Sequence, residues 1–338
     1  MNDMDIGIKM KMLQEETNFS GVYCANKGGC EFSGSFGFAN RSGRIKNETK
    51  TKFGIASGCK IFTSIAICQL VEQGLLSFQS KLHECLDLEF PLISGEVNIH
   101  QLLTHTSGVP DYFDEEEMDD YEELWKDMPV YAIRTLSDFL PLFQDKDMVE
   151  QPGGAFYYNN AGYILLGLIV EKVSGLMFTD YVEKNIFKKA GMEASGYFEM
   201  DKLPENTAIG YIEESDGSYR TNVFSVPAKG GADGGAFVTA EDMVTFWYAL
   251  FQYQLLSKEM TEKLLKPQIE VDEDLFYSYG GYVDMEQNKV KKHILMGYDP
   301  GVNFRSVYYP EKSISIVVCS NESDGAFEVL KDLERLLI

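Results

Sequence analysis

Ser57-Gly58-Cys59-Lys60 is the only S-x-x-K in the chain. Its hydroxyl and its amine stand three residues apart, just under one helical turn, and so share a face. The run that follows, Ile61 to Val71, is apolar at helical spacing and stops near Gly74, a residue suited to a C-terminal cap. A serine at a helix start, facing an amine one turn on, can be made nucleophilic. Serine is also a favoured helix N-cap, so the tetrapeptide draws its meaning from its company. The second pair is Tyr158-Asn159-Asn160, just before the apolar run Tyr163 to Val170. A phenol passes a proton when a nearby cation lowers its pKa from about 10, and an amide can orient a substrate carbonyl or hold the lysine. Tyr157-Tyr158-Asn159 has the same spacing, so two registers are open.

Both pairs need a frame. Residues 3–18 read as an amphipathic helix. Gly21–Ala25 and Glu31–Phe38 read as strands joined through Asn26-Lys27-Gly28-Gly29, a hairpin signal. From Leu75 to about Leu203 the pattern is mainly helical, with loops at 104–112 and 151–158. Asn303–Tyr309 and Ser313–Ser320 form a strand pair turned by Pro310-Glu311-Lys312, and Gly325–Ile338 reads as a last helix. The fold class expected is α/β of the α+β type: an antiparallel sheet built from both chain termini and flanked by helices, with a mainly helical lobe inserted. Residues 1–75 and 204–338 are expected to form the sheet lobe and 76–203 the helical lobe, with the active site in the cleft between them.

Composition narrows the partners. The 338 residues are 44% hydrophobic and 13% aromatic, which supports a large core. Lysine and arginine number 30 against 53 acidic residues, a net charge of −23. Nucleic acid and anionic membrane both call for basic patches, so neither is an expected partner. The six cysteines form no C-x-x-C, and the four histidines have no metal-ligand spacing. Free thiols, no metal and no cofactor are expected. The first twenty residues lack the apolar centre of a signal peptide, and the longest apolar runs fall short of the ~20 residues that span a bilayer. A cytoplasmic location follows as an expectation.

Several blocks together resemble one family. These are FGIASGCKIFTSIAICQLVEQG (Phe53–Gly74), HQLLTHTSGVPDY (His100–Tyr112), FYYNNAGYILLGLIVEKVSG (Phe156–Gly175), GGAFVTAEDMVTF (Gly234–Phe246) and the stretch Gly297–Asn321. In that order they resemble the serine beta-lactamase and penicillin-binding protein superfamily, in the branch of class C beta-lactamases, D,D-carboxypeptidases and esterases, over about Gly37 to Asn321. The flanking Ala161-Gly162-Tyr163 fixes the register on Tyr158 and Asn160. The resemblance implies a beta-lactamase/transpeptidase-like fold and a serine hydrolase acting through an acyl-enzyme. Ser57 then matches the nucleophile, Lys60 its partner base, Tyr158 the proton relay and Asn160 the substrate-positioning amide. The backbone N–H groups of Ser57 and Tyr298 match the oxyanion hole, and His105 a loop-ordering residue.

The chain departs from the family at one place. Relatives carry Lys-Thr-Gly or His-x-Gly on the strand lining the cleft, whereas here Leu295-Met296-Gly297 holds those positions. Leu295 thus stands where the lysine or histidine belongs. His293 is two residues upstream, on the same face of a regular strand and about 7 Å away. Either a bulge brings His293 into place or the site lacks that group; Leu295, His293, Gly297 and Tyr298 join Asn160 as the expected substrate-binding residues. Without a cation there, a beta-lactam carboxylate is held poorly, with Lys229 and Arg305 as substitutes. The expected substrate is a small ester, amide or beta-lactam-like molecule. The acidic run Asp114–Glu123 reads as a solvated loop or as a cation-selective rim of the cleft.

Overall fold

Every residue of Ile314–Ser320 is buried, and the reason lies in where it sits. In the computed structural model, which describes residues 19–113, 118, 121–126 and 128–338, this strand runs through an eight-stranded sheet covered on both faces. The strands are β1 (Gly21–Lys27), β2 (Cys30–Phe36), β3 (Ile269–Asp272), β4 (Leu275–Tyr277), β5 (Tyr282–Glu286), β6 (Lys289–Asp299), β7 (Val302–Tyr309) and β8 (Ile314–Ser320). Their order is β2-β1-β8-β7-β6-β5-β4-β3. All the pairings are antiparallel. The N-terminal hairpin joins the C-terminal strand in register from Gly21↔Ser320 to Lys27↔Ile314, so the sheet is indeed made from both ends of the chain.

Alternation along β8 divides the core. Val317 and Cys319 face one large cluster, while Ile316 and Val318 face a smaller one. Helix α4 (Ala326–Leu337) covers the smaller side with Ala326, Val329, Leu330 and Leu333. On the other face, α3 (Ala240–Phe251) lies over β8 and β1, with α1 (Lys60–Glu72) and α2 (Asn160–Ser174) packed together beyond it. A strand buried on both faces reads as an unbroken apolar run, which is what the sequence carries.

Local differences have local causes. The strand expected to reach Phe38 stops at Phe36, because Gly37 takes φ +72° where a β-carbon would strike Ser20. Between residues 75 and 203 the longest helix is α2, and much of the rest is short 3-10 turns and loop. The helix expected at residues 3–18 lies outside the described residues. The five cysteines whose side chains are described, Cys24, Cys59, Cys68, Cys85 and Cys319, are buried and unpaired.

Candidate active site

Ser57 sits in a 3-10 turn, Ala56–Cys59, that runs directly into α1. Ala56 just before it has φ +45°, a strained conformation for a residue with a β-carbon and one that concentrates at functional turns. Lys60 opens α1 and is 1% exposed. Its Nζ lies 2.9 Å from Ser57 Oγ, 2.7 Å from Asn160 Oδ1 and 2.7 Å from the Asp233 carbonyl oxygen. Two of these neighbours, the amide oxygen and the backbone carbonyl, can only accept. The Ser57 hydroxyl alone can also donate. The rings of Tyr158 and Tyr163 lie 5.0 and 5.4 Å from the same nitrogen.

Asn160 is fixed by a residue that the sequence reading passed over. Asp111 follows the His-Thr-Ser-Gly-Val-Pro run and is buried. Its Oδ2 accepts from the Asn160 backbone N–H at 2.7 Å, and its Oδ1 from those of Ala161 (2.9 Å) and Tyr112 (2.7 Å). The Asn160 side-chain nitrogen faces Oδ2 at 3.5 Å, which turns Asn160 Oδ1 towards Lys60. Asn159 completes the start of α2 by accepting from Gly162 N–H at 2.6 Å. Burial pushes the Asp111 carboxyl up to about 7, against the pull of its three backbone donors and of Lys60. Asp111 stands 49 residues before the helix entry it anchors, so no local pattern in the sequence joins the two.

His105 orders this loop. It holds φ +56°, its carbonyl accepts from Tyr157 N–H at 2.8 Å, and its Nδ1 accepts from Asn159 N–H at 3.0 Å. Its ring packs on Tyr158 at 4.5 Å and on Tyr277 at 4.7 Å. Burial first, then the charge of Lys60, holds the imidazole well below its usual pKa, so it is neutral.

The Gly230–Gly235 segment closes the other side. A β-carbon on Gly167 of α2 would sit 2.4 Å from Ala232 Cβ, so only glycine lets the segment approach. Thr63 Oγ donates to the Ala232 carbonyl at 2.5 Å, one turn along α1 from Lys60. Asp233 is buried, and Tyr112 donates its phenol hydrogen to Oδ2. Burial raises the Asp233 carboxyl, with Lys60 opposing, and burial likewise raises the Tyr112 phenol, which stays protonated.

A cavity of about 660 Å³ opens over these groups, lined among others by Ser57, Tyr158, Asn160, Asp233, Gly297 and Tyr298. The β5 pairing with β6 begins at Tyr282↔Ile294, so Leu295–Asp299 has no β5 partner on that side. Gly297 is the contact point: a β-carbon there would lie 2.0 Å from Ile55 O, 2.8 Å from Gly58 N and 2.9 Å from Ser57 N. Tyr298 is 60% exposed at the cavity edge.

Two expected site residues are elsewhere. Leu295 shares the Gly297 face of β6 but is 3% exposed within the main core, and no bulge shifts the β6–β7 register beside it. His293 is buried between Trp247 and Phe251, at ring distances of 6.4 and 5.9 Å, and pairs across the ladder with Tyr308. Burial lowers its pKa to about 4. Neither lines the cavity, because β6 enters the core before it reaches Ser57. Lys229 Nζ bonds Thr179 Oγ at 3.3 Å and does not line the cavity either. Of the acidic run, Met118, Tyr121 and Glu122 border the cavity, while Asp114–Glu117, Asp119 and Asp120 lie outside the described residues.

Comparison with known proteins identifies the family. The sequence pattern of the family described as Beta-lactamase matches residues 10–338. A penicillin-binding protein of Bacillus subtilis (strain 168) is 28% identical over 96% of this chain and 74% of its own length. The crystal structure of a penicillin binding protein from Bacillus halodurans superimposes with a TM-score of 0.94 at 53% identity, covering 97% of this chain and 99% of that one. The D-amino acid amidase from Ochrobactrum anthropi SV3 shares the fold at a TM-score of 0.79 and 20% identity, over 97% and 96% of the two chains. With its matched sequence, its sheet and the Ser57–Lys60 and Tyr158–Asn160 pairs, the chain belongs to the Beta-lactamase family.

Proposed function

We propose that the protein is a serine hydrolase that forms an acyl-enzyme at Ser57 and hydrolyses a small ester or amide lacking an essential carboxylate. The observation that carries this is the setting of Lys60 Nζ, with two obligate acceptors and one hydroxyl within 2.9 Å. A neutral amine there points its two N–H bonds at Asn160 and at the Asp233 carbonyl, leaving its lone pair for the Ser57 proton. Ser57 Oγ bonds the substrate carbonyl carbon as its proton passes to Lys60. The oxyanion forms between the backbone N–H groups of Ser57 and Tyr298. Loss of one such donor typically costs about 10²–10³ in rate. As the bond to the leaving oxygen or nitrogen breaks, that atom takes the proton through Tyr158. Water then attacks the ester carbonyl, with the same groups returning the proton to Ser57 Oγ.

Burial of Leu295 and His293 argues for substrates without a carboxylate anchored at that position, and for slow turnover of beta-lactams. Labelling by a fluorophosphonate, read as intact mass beside Ser57→Ala, tests the proposal. A mass gain that vanishes in the variant is expected. A folded protein that takes no label would favour a binding role for a decayed site, and efficient cephalosporin turnover would overturn the substrate assignment.

A further inference from the structure

Three cations described near Ser57 (Arg220, Arg305 and Lys60) each meet protein groups. Arg220 is held by Glu122 and by Glu214, the latter at 2.6 Å. Arg305, which also lines the cavity, pairs across the ladder with Met296; its Nη1 donates to Met296 Sδ at 2.6 Å, and its guanidinium stacks 5.4 Å from the Phe327 ring on α4. Lys60 is ringed by Ser57, Asn160 and the Asp233 carbonyl. Position 295, where relatives place a cation, is core leucine.

Three carboxylates line the cavity, Glu122, Asp233 and Asp299, and of these Asp233 is the buried one. Asp233 lines the cavity while only 6% exposed. It is carried on a turn that cannot drift. Gly231 N–H bonds the Gly234 carbonyl at 2.8 Å, and a β-carbon on Gly230 would fall 2.4 Å from the Gly235 carbonyl oxygen. The neighbouring Gly234 abuts the nucleophile's turn, its β-carbon position 3.9 Å from Ser57 N. The carboxylate receives the Tyr112 hydroxyl on Oδ2, with its own and the Gly234 N–H close by. Among the described residues, no lysine, arginine or histidine forms an ion pair with it. A carboxylate has about four acceptor sites, and a buried charge is costly without a charged partner. A substrate cation would supply that partner, and the field of a chain carrying −23 draws cations in.

We propose that Asp233 recognises a cationic substituent beside the scissile carbonyl, so that the preferred substrates are esters and amides of amino acids with a free α-ammonium. This rests on the acyl-enzyme reading of Ser57. The ammonium binds without reacting, and Lys60 remains the group that takes the Ser57 proton.

The test compares alanine 4-nitroanilide, as each enantiomer, with isobutyryl 4-nitroanilide, in which a methyl replaces the ammonium. A hydrogen-bonded charge implies a preference of about 10- to 100-fold in kcat/KM for one alanine enantiomer. Asp233→Asn should bring that ratio close to one. In parallel, alaninamide and isobutyramide compete with fluorophosphonate labelling of the wild-type protein, a readout that needs no variant to fold. Alaninamide should protect at correspondingly lower concentration. Equal protection by the two amides, or a ratio near one in the wild type, would overturn the role of Asp233 while labelling still upheld Ser57. A preference that survives Asp233→Asn would overturn it too. Absence of labelling would instead strike the acyl-enzyme reading itself.

Discussion

Gly297→Ala is the substitution in which the geometry is most exposed to refutation. The added carbon would start 2.0 Å from Ile55 O, and an ordinary contact needs about 3.4 Å, so the strand and the Ser57 turn must separate by roughly 1.4 Å. Ile55 O already accepts the Gly58 N–H at 2.8 Å, the bond that closes the turn around Ser57. The same methyl would crowd Ser57 N at 2.9 Å, one of the two proposed oxyanion donors. A misplacement of about 1 Å can cost a hundredfold, and loss of one donor about 10²–10³. We therefore expect acylation by fluorophosphonate to slow by about 10²–10³, near 3–4 kcal/mol of barrier. Overpacking adds about 1–3 kcal/mol of instability. Pseudo-first-order labelling followed by intact mass measures the first, and urea unfolding the second. Gly95→Ala, where the nearest atom to the new carbon is 3.8 Å away, controls for adding a methyl at a glycine. If Gly297→Ala labels within about threefold of wild type, β6 does not approach Ser57 as described and the oxyanion assignment falls.

Two further outcomes bear on buried titratable groups. Asp111→Asn should lower stability by about 2 kcal/mol in urea unfolding and slow acylation, because an amide cannot accept from the Asn160, Ala161 and Tyr112 N–H groups on both of its atoms; unchanged stability would remove it as the anchor of α2. His293 has a folded pKa of about 4 against an ordinary 6.5, so between those values the unfolded chain binds more protons and stability falls as pH drops from 6.5 to 4. His293→Phe should make that fall about 3 kcal/mol shallower in unfolding measured at pH 7 and pH 4; equal slopes would refute neutral burial.

Much of the site was legible because it is local. Ser57–Lys60 falls within one helical turn, and spacing puts that pair on one face; Tyr158–Asn160 is as local, but the resemblance of the flanking Ala161-Gly162-Tyr163 fixed its register. The sheet was legible through β7 and β8, whose apolar runs and Pro310-containing turn are also local. What stayed hidden depends on long-range packing. The carbonyl of Asp233 meets Lys60 across 173 residues, and it arrives there through the bare backbone of Gly167 against Ala232. Leu295 could be matched to a family position from its letters, but only the course of β6 through the core decides that its side chain is buried there and does not line the cavity. His293 misled for the same reason: an imidazole two residues from a cleft reads as chemistry, while Trp247 and Phe251 make it filling. Ser57 itself stands in a tight turn before the helix, an effect of the left-handed Ala56 that no propensity signals.

The register that ties Gly21 to Ser320 also dictates when the protein can come to life. During synthesis the β1–β2 hairpin emerges before the other strands of its sheet and carries its inner edge unpaired until β8 has been made, roughly three hundred residues later. Contacts of such separation are slow to close, and an open strand edge is an invitation to foreign pairing. The strand that presses on Ser57 enters the sheet through β7 and β8, so the surroundings of Ser57 are completed only when the last strand of this sheet is made. Chains cut short of β8 therefore leave that edge open and the surroundings of Ser57 unfinished.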